Sequence, residues 1–274
     1  MKKFLFISML GFASTVAFAQ TSSTPYMTKS LSSDAIKEVE AKTQGGNISV
    51  SGGSGSDARI EVYVTPNGKE GSLSKDEIKK RLDEDYEMNI TASGGKLKAI
   101  TKAKEKSMNW KRWLNVSYKI YIPQNASTDL STSGGNISLS NLNGTQDFRT
   151  SGGNLEVEKV TGRITGETSG GNIDVSDSKD NIDLHTSGGN VEASNCSGKI
   201  DLNTSGGSLT LRELNGTVTA NTSGGSVNGK SVTGELNAHT SGGNVSLHDL
   251  SCSLDASTSG GNIHVEIKDP GQFV

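Results

Sequence analysis

Residues 168–175 read Thr-Ser-Gly-Gly-Asn-Ile-Asp-Val, and the same opening tetrapeptide begins at Thr132, Thr150, Thr168, Thr186, Thr204, Thr222, Thr240 and Thr258. Each start falls 18 residues after the last, with neither insertion nor deletion. A period held over eight copies puts every copy at the same place in a stack of like units. Numbered from its Thr as position 1, each unit carries an apolar residue at position 6: Ile137, Leu155, Ile173, Val191, Leu209, Val227, Val245 and Ile263. Position 8 is mostly Leu or Val, and positions 15 and 17 are apolar too, as in Ile200 and Leu202. Two short runs of period-2 alternation per unit predict two strands per unit, each with one buried face.

Glycine marks the corners. Positions 3 and 4 are always Gly, giving Gly134, Gly152, Gly170, Gly171, Gly188, Gly206, Gly224, Gly242 and Gly260 among others. Position 13 is Gly144, Gly162, Gly198, Gly216 and Gly234. Such positions suit positive φ or close backbone approach, and this glycine density excludes helix. Position 5 is Asn136, Asn154, Asn172, Asn190, Asn244 and Asn262, with Ser208 and Ser226 between. Amides one coil apart predict an Asn ladder along the axis. No proline lies between Gln124 and Asp269, as unbroken ladders require. The expected fold is all-β: a single-stranded, right-handed parallel β-helix with 18-residue coils. Stacked at about 4.8 Å per coil, the repeats form a rod on the order of 35–40 Å long.

The rest of the chain divides around this array. Lys2 and Lys3 precede an apolar run ending in Ala17-Phe18-Ala19, the pattern of a signal peptide over residues 1–19. Residues 20–33, rich in Ser and Thr with Pro25, read as a flexible leader. Residues 34–130 read as an irregular, strand-rich start to the solenoid. Gly45-Gly46-Asn47-Ile48-Ser49-Val50 is an early form of the repeat, and Ser74 with Glu77 is a capping box predicting one short helix from 74 to about 85. A strand pair is expected around Ser93-Gly94-Gly95. The regular solenoid occupies 131–268, and 269–274 form a C-terminal tail. No second apolar run of about 20 residues follows the leader to form a transmembrane segment.

The repeated Ser-Gly-Gly-Asn-Ile/Val-x-Val/Leu, the irregular strand-rich start and the N-terminal segment together resemble the bacterial adhesin family DUF4097 over residues 34–268. The resemblance implies an exported β-solenoid of the cell envelope, in the periplasm, on the surface or outside the cell, and carries over no catalytic residue.

Composition and motifs narrow the chemistry. With 34 glycines and 5% aromatic residues the chain suits a thin core repeated along an axis. The formal charge of −3 argues against a nucleic-acid partner. A calcium β-roll needs Gly-Gly-x-Gly-x-Asp, whereas Gly171-Asn172-Ile173-Asp174-Val175 is apolar where the liganding Asp belongs. His185 and His239 share position 18 but lie about three coils apart, roughly 14 Å. His248 and His264 fall on other columns, so neither a metal nor any other cofactor is expected. Cys196 and Cys252 are also about three coils apart, beyond the roughly 7 Å that a disulfide allows. The Thr column at position 1 could meet an ice plane only beside a second Thr file, and position 3 is Gly.

Two surfaces stay in play. Glu156, Asp174 and Glu192 at position 7, and Asp183 and Asp201 at position 16, stack like charges one strand spacing apart, as a polysaccharide-active β-helix enzyme would require. Residues 96–119 carry eight basic residues against one acidic, and both tryptophans sit there. Trp110, Lys111, Arg112 and Trp113, with Lys102, Lys104 and Lys106, combine flat rings with cations. They form the candidate contact surface for an envelope or cell-surface component, an anionic polysaccharide or another protein. The opposing structural reading makes the rings a cap on the open end of the solenoid. The reading that fits best is a non-enzymatic binding or scaffold protein, with the polysaccharide enzyme as the alternative.

Overall fold

The computed structural model describes residues 24–67, 73–104 and 112–268. Residues 1–19 and the tail from 269 lie outside this range. Each of the first six repeats supplies a short strand at positions 6–9 and a long strand from position 12 to the next Thr, as in Ile173–Ser176 followed by Lys179–Thr186, while in the seventh the two run together as Val245–Thr258. Short strands pair in parallel with short strands, Leu155 beside Ile173 beside Val191. Long strands pair likewise, Ile164 beside Ile182 beside Ile200. Partners are offset by one unit, with a single shift where Leu250 meets Ile267, so the array is a parallel β-solenoid of about 8 turns built from two sheets. Positions 6, 8, 11, 15 and 17 point inward and are almost fully buried as far as Leu250, beyond which Leu254, Ala256, Ile263 and Val265 are only partly covered. Volume is balanced between coils: the Phe148 ring lies where a side chain on Gly166 would start, and Leu247 does the same for Gly229.

The corner between long and short strands is built on the second glycine. A Cβ on Gly171 would lie 1.9 Å from the carbonyl oxygen of Gly153, and Gly153, Gly189 and Gly207 repeat the geometry. The first glycine, exemplified by Gly170, would place its Cβ an ordinary 3.7 Å from the Ser151 oxygen. Close approach at the second glycine is therefore what the doublet requires, the first tightening only to 3.3–3.4 Å at Gly224, Gly242 and Gly260; neither glycine has positive φ. Thr168 Oγ1 donates to the Gly153 oxygen at 2.8 Å and accepts from the Gly171 N–H at 3.3 Å. Most of the Thr column is buried by this bridge, so it offers nothing to an ice plane. The Asn column also differs from a side-chain amide ladder. Asn154 Oδ1 accepts from the Asn172 backbone N–H at 2.8 Å, and Asn172 Oδ1 does so for Asn190. These side chains are exposed, and serines continue the column because Ser208 Oγ reaches the Ser226 N–H at 3.1 Å.

The other corner turns at position 10, a column absent from the glycine pattern. Asn141, Lys159, Asp177, Asn195, Glu213, Ser231 and Asp249 all have φ between 51° and 57°. Position 13 follows as expected, Gly198 at φ 115° for example; Asp180 bears the turn without glycine at 82°, whereas Cys252 at the same position has no positive φ.

The N-terminal part in chain order is β1 (Met27–Ser30), β2 (Glu38–Lys42), β3 (Ile48–Gly53), β4 (Arg59–Pro66), α1 (Lys75–Asp85), β5 (Tyr86–Ser93), β6 (Lys96–Ala103), β7 (Leu114–Pro123), β8 (Ser127–Thr132) and β9 (Ile137–Ser140). β2 and β3 stack directly on β8 and β9, so Thr43-Gln44-Gly45-Gly46 is a displaced first copy of the repeat. Thr43 even makes the same buried bond, to the Val116 oxygen. β6 and β7 add one more parallel layer. Beyond it direction reverses: β5 pairs antiparallel with β6, β4 with β7, and β1 with β4. Pairing with β4 orders part of the stretch read as a flexible leader, and Leu31 after it is fully buried. The Ser74 side chain caps α1 by accepting from the Glu77 N–H, and Ile78 and Leu82 turn into the core.

Candidate binding surface

The basic stretch folds against acidic partners. On the outer face of the long-strand sheet, Lys96 pairs with Glu38 at 2.6 Å, Lys98 reaches Glu40 at 3.8 Å, and Lys42 bridges Glu40 and Asp129. The Lys42 hydrogen bond is the main cause holding the Glu40 carboxyl below its usual range, against desolvation. The first two cations of the run, Lys96 and Lys98, are thus matched by carboxylates in space. The cause is register, which sets β2 beside β6.

Around the tryptophans the assignment splits. Helix α1 ends in Asp83, Glu84 and Asp85, three carboxylates at the negative end of its dipole, with no basic residue in its last turn. Arg112 supplies the missing charge, at 3.0 Å from Asp85 and 2.6 Å from Glu84. Lys104 donates to the Asp83 carbonyl at 2.6 Å. These two cations hold the helix. Trp113, 45% exposed, is left facing solvent, and Lys102 is exposed on β6, in the other sheet. Lys106, Trp110 and Lys111 lie outside the described residues.

A second aromatic group on the outer face of the short-strand sheet escaped sequence reasoning. Arg59 stacks on the Tyr121 ring at 3.8 Å, Lys119 lies 5.0 Å from the Tyr63 ring, and Tyr63 Oη donates to Glu61 at 2.8 Å. Burial, reinforced by Glu61, pushes the Tyr63 hydroxyl up to about 12. Glu61 itself is raised by burial but lowered further by hydrogen bonds from Arg59 and Tyr63, so its pKa ends below the usual carboxylate value. The available signal was alternation: Arg59, Glu61 and Tyr63 occupy the outward positions of β4.

Further along the same sheet Glu156, Asp174 and Glu192 stand in register as expected. Burial raises the Asp174 carboxyl, with Arg212 opposing, while Arg212 itself pairs with Glu192. Beyond Arg212 a depression of about 210 Å³ is lined by Thr210, Asn228, Gly229, Lys230 and His248. A depression of about 490 Å³ follows the position-10 corner past Asp177, Asn195 and Glu213. Cys196 and Cys252 are both free. His185 and His239 stay apart on their column, His239 bonding Ser257 at 2.7 Å. His248 and His264, by contrast, are brought together with Glu266. The shared position 9 of His248 and Glu266 was the available signal. Among the described residues no helix is long and apolar enough to cross a membrane.

The model of one protein family, Toastrack DUF4097, matches residues 56–272. A solved structure from Clostridium sporogenes ATCC 15579, titled a "putative cell adhesion protein", aligns over 88% of this chain and 98% of its own at 10% identity, with a TM-score of 0.25. No curated protein matches.

Proposed function

We propose that the chain, which belongs to the Toastrack DUF4097 family, is an exported, non-enzymatic β-solenoid that binds or scaffolds components of the cell envelope in the manner of an adhesin. The observation carrying this reading is the division of labour between inside and outside. Apolar groups, Thr hydroxyls and corner glycines are committed to stacking, while the outward columns present short polar and charged side chains at a strand spacing of about 4.8 Å. Such a face suits a long, repetitive ligand better than a small enclosed one. At the N-terminal end Trp113 is an exposed ring, and the contact segment of this reading is the stretch of sequence that leads to it, with Lys102, Lys106, Trp110 and Lys111.

The test is retention of purified protein on cells and on anionic envelope polysaccharide. Trp110→Ala with Trp113→Ala should abolish retention while leaving the melting temperature within about 2 °C; a loss of several kcal/mol of stability would make the rings a cap. Protease shaving of intact cells tests the surface location.

The raised Asp174 carboxyl between Glu156 and Glu192 favours a second reading, an enzyme on polysaccharide. New reducing ends or unsaturated products that disappear in Asp174→Asn would establish it.

A further inference from the structure

We infer that His248, His264 and Glu266 form a binding site for a zinc-type dication that ties the last strand of the solenoid to the strand before it. His248 and Glu266 are the ninth residues of successive units and lie side by side, His248 Nδ1 at 3.0 Å from Glu266 Oε2. His264 precedes Glu266 by two residues on the strand Ile263–Ile267 and so points to the same side, with Nε2 at 3.6 Å from Oε1. The two rings are 5.5 Å apart, and one donor atom from each of the three residues lies within 4.8 Å of the others. A tetrahedral zinc ion with bonds of about 2.0–2.1 Å sets its donors roughly 3.3 Å apart, a spacing reached here by small rotations of half-exposed and exposed side chains.

The donor set selects the metal. Two imidazoles and one carboxylate suit zinc and its neighbours and leave a fourth position for water, whereas calcium and magnesium take oxygen ligands. An orienting partner is also present: Ser246 Oγ lies 3.1 Å from His248 Nε2, so a proton on that nitrogen leaves Nδ1 free toward the site. Lys230, in register beside His248, has Asp249 at 4.0 Å. The tie falls where the fold is least covered, since Ile263 and Ile267 in the last strand are 46% and 44% exposed.

Zinc chloride titrated calorimetrically into the full chain without an affinity tag tests the site. One ion per chain is expected. His264→Ala, His248→Ala and Glu266→Gln should each weaken binding by about tenfold or more, and His239→Ala should not. Zinc should also slow amide exchange across Ile263–Ile267 in the unmodified chain and fail to do so in His264→Ala, which removes a 65% exposed side chain and leaves the fold intact. Absence of saturable binding, unchanged affinity in His264→Ala, or one ion shared between two chains would each overturn the proposal.

Discussion

Substituting alanine at each half of one glycine doublet separates two roles that the sequence makes look identical. In Gly171→Ala the new methyl would meet three backbone atoms of the neighbouring coil: the Gly153 oxygen at 1.9 Å, the Gly153 carbon at 2.4 Å and the Asn154 nitrogen at 2.8 Å. Backbone cannot swing aside as a side chain can, so the coils must separate locally. The separation strains three bonds at the corner: Thr168 Oγ1 to the Gly153 oxygen, the Gly171 N–H to Thr168 Oγ1, and the Asn172 N–H to Asn154 Oδ1. At about 1 kcal/mol each, with overpacking of similar size, the loss should be roughly 3 kcal/mol or more. Gly170→Ala places its methyl 3.7 Å from the nearest atom, without a positive φ, and should fall within about 0.5 kcal/mol of the parent or slightly stabilise it by restricting the unfolded chain. Thermal and urea unfolding of both variants, with amide exchange across the neighbouring strands, reads the difference. Equal effects at the two sites, or a mild effect at Gly171, would refute close approach as the reason for the second glycine.

Removing the buried hydroxyl in Thr168→Val should cost on the order of 1–3 kcal/mol, because the Gly153 oxygen and the Gly171 N–H lose a shared partner; Ser169→Ala, on the exposed corner, should be nearly neutral by the same denaturation assay. Thiol titration of unreduced, unfolded monomer should find two free cysteines, and an intrachain bridge by mass spectrometry would contradict the coil count. Glu61 has a folded pKa below its usual value, so its contribution to stability is present above about pH 4.5 and is lost as pH falls through the folded value. Urea unfolding between pH 6 and pH 3 should therefore show a steeper acid loss in the parent than in Glu61→Gln, and parallel curves would count against the Arg59–Glu61–Tyr63 cluster.

Where the sequence was legible, the reason was repetition. An exact period fixes register, and the alternation at positions 6 and 8 or 15 and 17 fixes which face is buried, so Ile173 and Ile200 could be placed without coordinates. The capping residues of α1 were local enough to read as well. Local pattern failed wherever a residue's role depends on the next coil. Gly170 and Gly171 look alike until Gly153 is set above the second of them. The position-10 turn is filled by Asn, Asp, Lys, Glu and Ser alike, since an exposed αL corner accepts any residue able to bear its strain, although Asn141, Asp177, Asn195 and Asp249 were a hint. The cationic stretch misled for the same reason: Lys96 and Arg112 find their carboxylates on β2 and α1, 58 and 28 residues away.

If the coils are interchangeable, one whole unit, residues 187–204, can be deleted without disturbing its neighbours. The deletion joins Thr186 to Ser205, sets Ile182 against Val218 and Val175 against Leu211, and keeps every column in phase. The shortened protein should still unfold cooperatively, keep its β-sheet circular dichroism and be shorter by about 4.8 Å in solution scattering. Loss of cooperative unfolding in this variant, or equal tolerance of a nine-residue deletion at the same place, would contradict interchangeability of the coils.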